Sequence, residues 1–451
     1  KDSGTGKKLQ AILPIGSSKM LAPLALAFTA LVGTSTPVQA INIHFDYASG
    51  TSLEVRKGFE MAANIWEGLL ADDTDVRIEV GMVDFVDEFG QDYTNVLGLA
   101  VPEFWDVEFY EFENALAVDA TSADDATAVE NLNISQDIKD NYDMILTQAN
   151  AKALGLYNGS STAFDGQIRI NSGFNWDLDL TPNTGSTAAD EFHYLSVALH
   201  EIGHTLGFTS GIDSNGWVSA NSEGNTTPES QEALGQFAAL DAFRFNEIGE
   251  LDVLQVLDPD SQRFFSLDGG VTNLAELSTG VGGDGYQASH WKNDKFVDEF
   301  GNLVVNDAIG IMDPAFGMGE RGEISAFDLT ALDAIGWDLT GNDWNDLNMT
   351  ALSAQASTSA SISVFQDILE RFLADRGLAW WWWFGRWAVT EDELLATALQ
   401  SGGYAAIAEP NQNPLSPSAS VPEPGTTAAL IGVGLLGLSS RRQRRQSKTS
   451  D

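Results

Sequence analysis

The feature that most constrains the fold of this chain is a stretch of helical sequence from Ala188 to Leu206. Apolar residues recur along it at the spacing of one helix face, namely Phe192, Leu195, Leu199, Ile202 and Leu206. Gly207 follows at once, and a glycine at that position favours a left-handed C-cap that turns the chain away. The pattern predicts an amphipathic helix that ends at Leu206.

Two histidines, His200 and His204, lie four residues apart on this predicted helix. That spacing places both imidazoles on one face, about 6 Å apart, where they can bind a single ion. Glu201 projects at an adjacent angle and can reach a water molecule on that ion without being a ligand. Zinc lowers the pKa of such a water to about 7, and a carboxylate can then act as general base. The same five-residue pattern also occurs by chance in helices, so the zinc site needs support from elsewhere in the chain.

A zinc site of this type needs a third protein ligand, and the residues alone leave two candidates open. Asp213 could swing back from the loop after the helix. His290 is one of only five histidines in the chain and follows a glycine-rich loop. His193 lies seven residues before His200, about 10.5 Å along the axis, so we interpret it as a helix-surface or capping residue. His44 lies on the polar side of the first strand, and we expect no catalytic role for it.

The spacing of His200, Glu201, His204 and Gly207 resembles that of the metzincin clan of metalloproteases. Most metzincins supply their next histidine three residues after that glycine, where this chain has Ser210. A serine hydroxyl is a poor zinc ligand, so the common metzincin pattern fails at this point.

Two downstream segments extend the resemblance. They are Ser289-His290-Trp291 and a turn-like sequence around Met312, Gly310-Ile311-Met312-Asp313-Pro314. Together with the helix motif they are similar to the leishmanolysin-like branch of metzincins, over about residues 41–339. The resemblance implies that His290 is the third ligand, and that Met312 forms the Met-turn beneath the zinc. From the residues alone, Met312 can also be a generic core methionine.

Cysteine is absent from all 451 residues, which excludes zinc ribbons, thiol nucleophiles and disulfide frameworks. A cysteine-switch propeptide is therefore impossible, so any latency needs another device, such as an acidic residue that covers the zinc. The chain has 65 acidic and 23 basic residues, a net charge of −42. Such a charge repels phosphate and argues against nucleic-acid binding. It fits a salt-tolerant exported protein.

The beginning of the chain has the order of a secretory signal peptide. Lys7, Lys8 and Lys19 precede an apolar run from Leu21 to Val32, and small residues follow up to Ala40. A basic region, a short apolar region and small residues at the cleavage point predict a signal peptide within residues 1–40. The alternative is a buried N-terminal helix.

The far end of the chain resembles the PEP-CTERM sorting signal of Gram-negative bacteria. Pro422-Glu423-Pro424 is followed by an apolar stretch at residues 426–438 and an arginine cluster at residues 441–445. The apolar stretch is short for a membrane span, which needs about 20 residues. The resemblance, at residues 421–446, implies export, transient membrane anchoring and processing by an exosortase, with an extracellular or cell-surface product. An ordinary C-terminal membrane anchor is the alternative.

Periodicity elsewhere predicts a sheet with helices packed on it. The predicted elements are strands at residues 41–46, 76–80 and 167–171 and helices at residues 53–70 and 137–154. The strand at residues 167–171 is placed at a sheet edge, where an extended peptide can bind by backbone hydrogen bonds, with an internal strand as the alternative. Residues 210–289 read as an insertion of mixed structure.

Beyond the turn at Met312, Ser325 opens a capping box that predicts a helix through Trp337. Three apolar residues of this helix are expected to pack inward, namely Phe327, Leu332 and Ile335. A small, mostly helical accessory segment is predicted at residues 346–408, and a linker at residues 409–420. The Trp380–Trp387 cluster is interpreted as packed core, with a membrane-interface patch or a binding surface as alternatives.

The predicted fold class is α+β, with a metzincin-type (zincin) catalytic domain at residues 41–345 that begins with a twisted-sheet subdomain and helices. The expected function is that of a secreted zinc endopeptidase acting on protein or peptide substrates. Two alternatives remain: a catalytically idle surface or matrix binding protein, against which Glu201 argues, and a zinc hydrolase of a non-protein amide. Bound calcium is a further expectation from the many Asp and Gly-Asx loops, although no complete calcium-loop motif is present.

Overall fold

The computed structural model describes residues 41–341 and 407–408, apart from residues 86–93, 179, 181–186, 213–234, 253–260, 294, 298–302 and 306–307. The α-helices of this described part are α1 (Leu53–Leu69), α2 (Phe109–Asp119), α3 (Ala123–Asn131), α4 (Gln136–Asn141), α5 (Gln148–Ala153), α6 (Tyr194–Leu206) and α7 (Ala326–Ala334). Its strands are β1 (Asn42–Tyr47), β2 (Asp75–Val83), β3 (Gly98–Pro102), β4 (Phe104–Val107), β5 (Tyr142–Thr147), β6 (Gly166–Asn171), β7 (Trp176–Asp177), β8 (Phe192–His193), β9 (Gly235–Ala238), β10 (Arg244–Asn246), β11 (Arg263–Phe265), β12 (Ala275–Leu277), β13 (Lys295–Val297), β14 (Leu303–Val305), β15 (Ala315–Phe316) and β16 (Ile407–Ala408).

The main sheet has four strands in the order β1-β2-β6-β3. Strands β1, β2 and β6 run parallel, and β3 pairs with β6 in the antiparallel direction. Helix α1 connects β1 to β2 and packs against α6. Two hydrogen bonds join the helices: Trp66 Nε1 donates to the Leu199 carbonyl at 3.2 Å, and the Tyr194 hydroxyl donates to the Val55 carbonyl at 3.2 Å. This mixture of sheets and helices is consistent with the predicted α+β class.

Helix α6 belongs to the main hydrophobic core, and every one of its residues is buried. It begins at Tyr194 rather than at Ala188, because Phe192 and His193 form β8 and pair with β7 instead. The predicted apolar stripe therefore accounts for the burial of only one face of the helix. The opposite face is also buried, since it carries the two histidines of the motif.

The end of α6 follows the prediction. Gly207 has φ 122° and its N–H bonds back to the carbonyls of Gly203 and His204. A Cβ at Gly207 would lie 3.0 Å from Ile335 Cδ1, so both the backbone and the packing favour glycine there. Trp337 Nε1 donates to the Leu206 carbonyl at 2.7 Å and ties this end of the helix to the C-terminal part of the domain.

Three sequence predictions about local structure are wrong. Residues 137–154 are not one helix but α4, β5 and α5, because β5 pairs with both β4 and β9 and is held as a strand. The strand at residues 167–171 is internal, since β6 lies between β2 and β3, and Arg169 is buried there in an ion pair with Glu79. Phe327 is not packed inward but is 39% exposed, whereas Leu332 and Ile335 are buried as predicted.

The remaining sheets are small. Strands β4, β5 and β9 form one, and β10, β11 and β12 form another. The pairs β7-β8, β13-β14 and β15-β16 are two-stranded. The described part of residues 210–289 contains β9 to β12 and a 3₁₀-helix at Ala239–Phe243.

Several predicted segments lie outside the described residues. These are the signal peptide at residues 1–40, the accessory segment except for Ile407–Ala408, the Trp380–Trp387 cluster, the linker at residues 409–420 and the apolar stretch at residues 426–438. Within the part of the chain that is described, no helix combines the length and the apolar character needed to cross a membrane.

A cluster of six aspartates joins the end of α1 to α7, namely Asp72, Asp119, Asp124, Asp125, Asp333 and Asp338. Asp338 N donates to Asp72 Oδ2 at 3.0 Å, and Ser122 Oγ donates to Asp333 Oδ2 at 2.7 Å. Burial, followed by the charges of neighbouring carboxylates, raises the pKa of both Asp72 and Asp119 to about 7. Burial also raises the pKa of Asp333 to about 8, with the nearby Asp125 and Asp124 charges adding to the rise.

These raised pKa values predict that the protein loses stability as the pH rises from about 4 to about 8. The folded state holds protons on the cluster that the unfolded chain releases near pH 4, so the free energy of unfolding falls over this interval. Asp72→Asn should raise the free energy of unfolding at pH 8 by roughly 1–2 kcal/mol and flatten its pH dependence. Urea denaturation at pH 5 and pH 8 measures this. The exposed neighbour Asp73→Asn changes the net charge equally, and an equal gain there would contradict the role of the cluster.

Candidate metal centre

Three buried histidines, His200, His204 and His290, come together in the structure. The Nε2 atoms of His200 and His204 are 3.0 Å apart, and each lies 3.2 Å from Nε2 of His290. Helix α6 supplies the first two at consecutive turns, and the loop after β12 supplies the third. All three rings are at most 1% exposed. Within the described residues, they form the only group of three or more His, Asp or Glu side chains close enough to share an ion.

The other ring nitrogen of each histidine faces a backbone carbonyl. His200 Nδ1 lies 2.8 Å from the Ile311 oxygen, His204 Nδ1 lies 2.8 Å from the Phe208 oxygen and His290 Nδ1 lies 3.1 Å from the Gln287 oxygen. A carbonyl can only accept, so each Nδ1 carries the proton and each Nε2 presents a lone pair. Three lone pairs therefore point at one another across about 3 Å.

Burial also keeps the three rings neutral. It lowers the pKa of His290 to about 4. Burial lowers the pKa of His200 and of His204 well below the ordinary histidine value, and the charges of the other histidines in the cluster lower both further. Neutral imidazoles with converging lone pairs are the form in which histidine binds a metal.

The histidine cluster fits a zinc ion. Three nitrogens bound to zinc at about 2.0–2.1 Å in a tetrahedron lie roughly 3.4 Å from one another, close to the separations found here. Three protein ligands leave a fourth position open, as catalytic rather than structural zinc sites do. Carbonyl oxygens on all three Nδ1 atoms supply the outer-shell partners that such ligands normally have.

Glu201 follows His200 on the helix and is fully buried. Its carboxylate lies against β3, the outermost described strand of the main sheet on that side, since a Cβ added to Gly98 would approach Glu201 Oε1 to 2.5 Å. Only glycine allows the strand to pass this close to the carboxylate. The strand that flanks the centre is therefore β3, and not the β6 strand that the sequence suggested.

Met312 is buried beneath the same helix. A Cβ added to Gly203 would lie 2.5 Å from Met312 Sδ, so the thioether packs on the turn between His200 and His204. Its carbonyl accepts a hydrogen bond from Trp291 N at 3.0 Å, which joins the methionine turn to the residue after His290.

Asp328, on α7, organises this part of the centre. It is fully buried and accepts four hydrogen bonds, from Trp291 Nε1 at 2.8 Å, Ile311 N at 2.8 Å, Met312 N at 3.2 Å and Ser325 N at 2.7 Å. Burial raises the pKa of Asp328 and these donors oppose the rise. One carboxylate thus fixes both the loop that carries His290 and the turn that carries Met312.

Asp328→Asn should destabilise the fold by about 3 kcal/mol, because an amide has one acceptor oxygen and leaves at least two buried donors without partners. It should also weaken metal binding by about 10- to 100-fold, as expected when the support of a ligand is lost. Urea denaturation and zinc titration measure the two effects. Asp73→Asn is the matched control, and a variant with unchanged stability would rule out the bridging role of Asp328.

The structure describes Ser210 but not Asp213. Ser210 Oγ donates to Asp241 Oδ1 at 2.6 Å, and Gly211 N donates to Asp241 Oδ2 at 2.7 Å. Asp241 therefore stabilises the loop that follows α6, and the Ser210 hydroxyl has a structural role in that loop. Asp213, the alternative third ligand, lies outside the described residues.

The two remaining histidines lie apart from the centre. His193 is the N-cap residue of α6 and is buried rather than on the helix surface, with Nδ1 2.7 Å from Ser196 Oγ. His44 is exposed on β1, 3.3 Å from an Asp75 carboxylate oxygen.

Sequence reasoning missed Asp328 and Gly98 as contributors to the centre. Asp328 was visible only as the third helical residue of a capping box, and no local pattern indicates that its carboxylate also reaches Trp291. Gly98 interrupts an apolar run at residues 96–101, and a glycine inside a strand pattern often marks a close backbone approach. The sequence therefore contained a signal for the close backbone approach at Gly98.

Comparison with known protein families identifies one segment of the chain. Residues 420–445 match the PEP-CTERM protein-sorting motif. This match confirms the sorting signal predicted at residues 421–446. It implies recognition by exosortase-type sorting machinery and indicates export and cell-surface association in a Gram-negative bacterium. Neither the curated proteins nor the solved structures contain a significant match to the chain.

Proposed function

We propose that this chain is a zinc-dependent endopeptidase. The observation that carries the proposal is the convergence of three neutral histidines through their Nε2 atoms, two of them on a helix that also carries Glu201. His200, His204 and His290 would hold the ion. When bound, zinc lowers the pKa of a coordinated water to about 7 and polarises a carbonyl oxygen.

The chain's own residues supply the remaining parts of a peptidase. Glu201 accepts the proton of the attacking water and returns it to the leaving amine. Burial of Glu201 beside β3 keeps other water away from this transfer. Strand β3 is the outermost described strand of the main sheet on that side, so its edge can bind an extended peptide by backbone hydrogen bonds. Gly98 brings that peptide next to the carboxylate.

Within this class we propose a leishmanolysin-like metzincin. Two observations support this assignment: the third histidine comes 86 residues after His204, and Met312 packs beneath the helix at Gly203. The sorting motif supports action outside the cell, on protein or peptide substrates.

The metal dependence is directly testable. The chain from Ile41 onward should bind a single zinc ion and cleave casein. A chelator such as 1,10-phenanthroline should abolish cleavage, and added zinc should restore it. Zinc content by mass spectrometry and casein cleavage measure the two effects. Zinc binding without hydrolysis would favour the idle binding protein instead, and full activity after complete removal of the metal would refute the proposal.

A further inference from the structure

Strand β15 lies directly beside the histidine cluster. It begins two residues after Asp313 of the methionine turn, and both of its residues are buried. The Phe316 ring packs edge-on against His200, with 5.5 Å between the ring centroids. A peptide that pairs with the backbone of β15 is therefore held next to a proposed zinc ligand.

The chain itself supplies such a peptide. Ile407 and Ala408 form β16, which pairs with β15 in the parallel direction, Ala315 with Ile407 and Phe316 with Ala408. In the described residues, β15 has no other strand partner. The segment comes from beyond the catalytic domain predicted at residues 41–345, close to the predicted linker that precedes the sorting motif.

Backbone pairing of this kind is the way in which sheet edges bind extended peptides of many sequences. His200, Glu201 and His204 are fully buried in this structure, and His290 is 1% exposed.

We propose that the backbone edge of β15 forms part of the groove that binds substrate, together with β3, and that Ile407–Ala408 occupies this part in cis, so that a substrate must displace the segment. The inference rests on the proposed peptidase function. It provides a latency device for a chain that has no cysteine and therefore no cysteine switch. Because the segment belongs to the same chain, its pairing with β15 does not depend on protein concentration. A substrate peptide must compete with it, whereas two paired residues remain weak enough to be displaced.

Proline variants of the full-length chain test this pairing. Proline lacks the backbone N–H, so Ile407→Pro with Ala408→Pro should release β16. The probe is a fluorescein-labelled peptide with the sequence of residues 402–413, GGYAAIAEPNQN. We expect the double-proline variant to bind the probe about tenfold more tightly than the native chain. Its KM for a peptide substrate should fall about tenfold, with kcat within twofold. Ile407→Val with Ala408→Ser keeps both N–H groups and should behave as the native chain.

A reversible disulfide between β15 and β16 provides a second test that does not depend on releasing β16. The chain has no cysteine, so Ala315→Cys with Ile407→Cys adds one thiol pair at directly paired positions. Oxidation should suppress both probe binding and peptide hydrolysis, and reduction should restore them. A cross-linked protein that hydrolyses peptides as fast as its reduced form overturns the inference.

The outcomes separate this inference from the proposed function. If the proline variant binds the probe and hydrolyses peptides no better than the native chain, the cis occupant is refuted while the peptidase stands. If the variant binds the probe about tenfold more tightly but no form hydrolyses peptides, the occupied groove stands and the peptidase is refuted.

Discussion

Glu201→Gln should lower kcat for peptide hydrolysis by about 10²- to 10⁴-fold while zinc content stays unchanged. Glutamine has the size of glutamate, so the close contact with β3 at Gly98 is preserved. It cannot accept a proton from water at neutral pH, and the general-base step is lost. Glu201 is not one of the three converging ligands, so the metal should remain bound.

The measurement compares kcat, zinc per chain and thermal unfolding of the variant and the native chain. Glu54→Gln is the matched control, since Glu54 is exposed on α1 and its replacement changes the net charge equally. A Glu201→Gln variant that retains more than a tenth of the native kcat would show that another group carries the proton.

His290→Ala should have the other large effect, a loss of zinc affinity of about 10²- to 10³-fold. This range follows from sharing the roughly 10–16 kcal/mol of protein zinc binding among four ligand positions. Hydrolysis should fall with zinc occupancy and return partly at high zinc concentration. By contrast, Glu201→Gln should show no recovery with zinc.

Two controls separate the candidate ligands. His44→Ala removes an exposed histidine that is bonded to Asp75 and should leave zinc affinity unchanged. Asp213→Ala should also leave it unchanged. Loss of zinc in Asp213→Ala together with full zinc occupancy in His290→Ala would show that Asp213, and not His290, is the third ligand.

The parts of the centre that the sequence predicted are those with local spacing. His200, Glu201 and His204 lie within five residues, and a helix fixes their geometry wherever it forms. His290 could be chosen over Asp213 only through a family resemblance, because no short-range rule connects residues so far apart. Asp328 shows the same limit. Its helix-capping role can be predicted from the neighbouring residues, whereas its hydrogen bond to Trp291 depends on tertiary packing.

The fold predictions failed where pairing partners decide the structure. Residues 142–147 have a pattern compatible with a helix, but strands on both sides hold them extended as β5. The strand at residues 167–171 was recognised, yet its position in the sheet depends on β3, which periodicity did not find. The pairing of β15 with β16 involves two residues on each side, too few to leave a pattern in the sequence.

The separation between His204 and His290 has a consequence for the stability of the folded chain. With the proposed zinc bound, the ion acts as a cross-link that closes a loop of 86 residues. In a chain-entropy description, such a loop closure stabilises the fold by about 4–5 kcal/mol, the contribution of a disulfide of similar span. A disulfide would be lost in a reducing medium, but this link is not redox-active. A chain without cysteine can thus keep a long-range staple through export and afterwards, whatever the redox state of its surroundings.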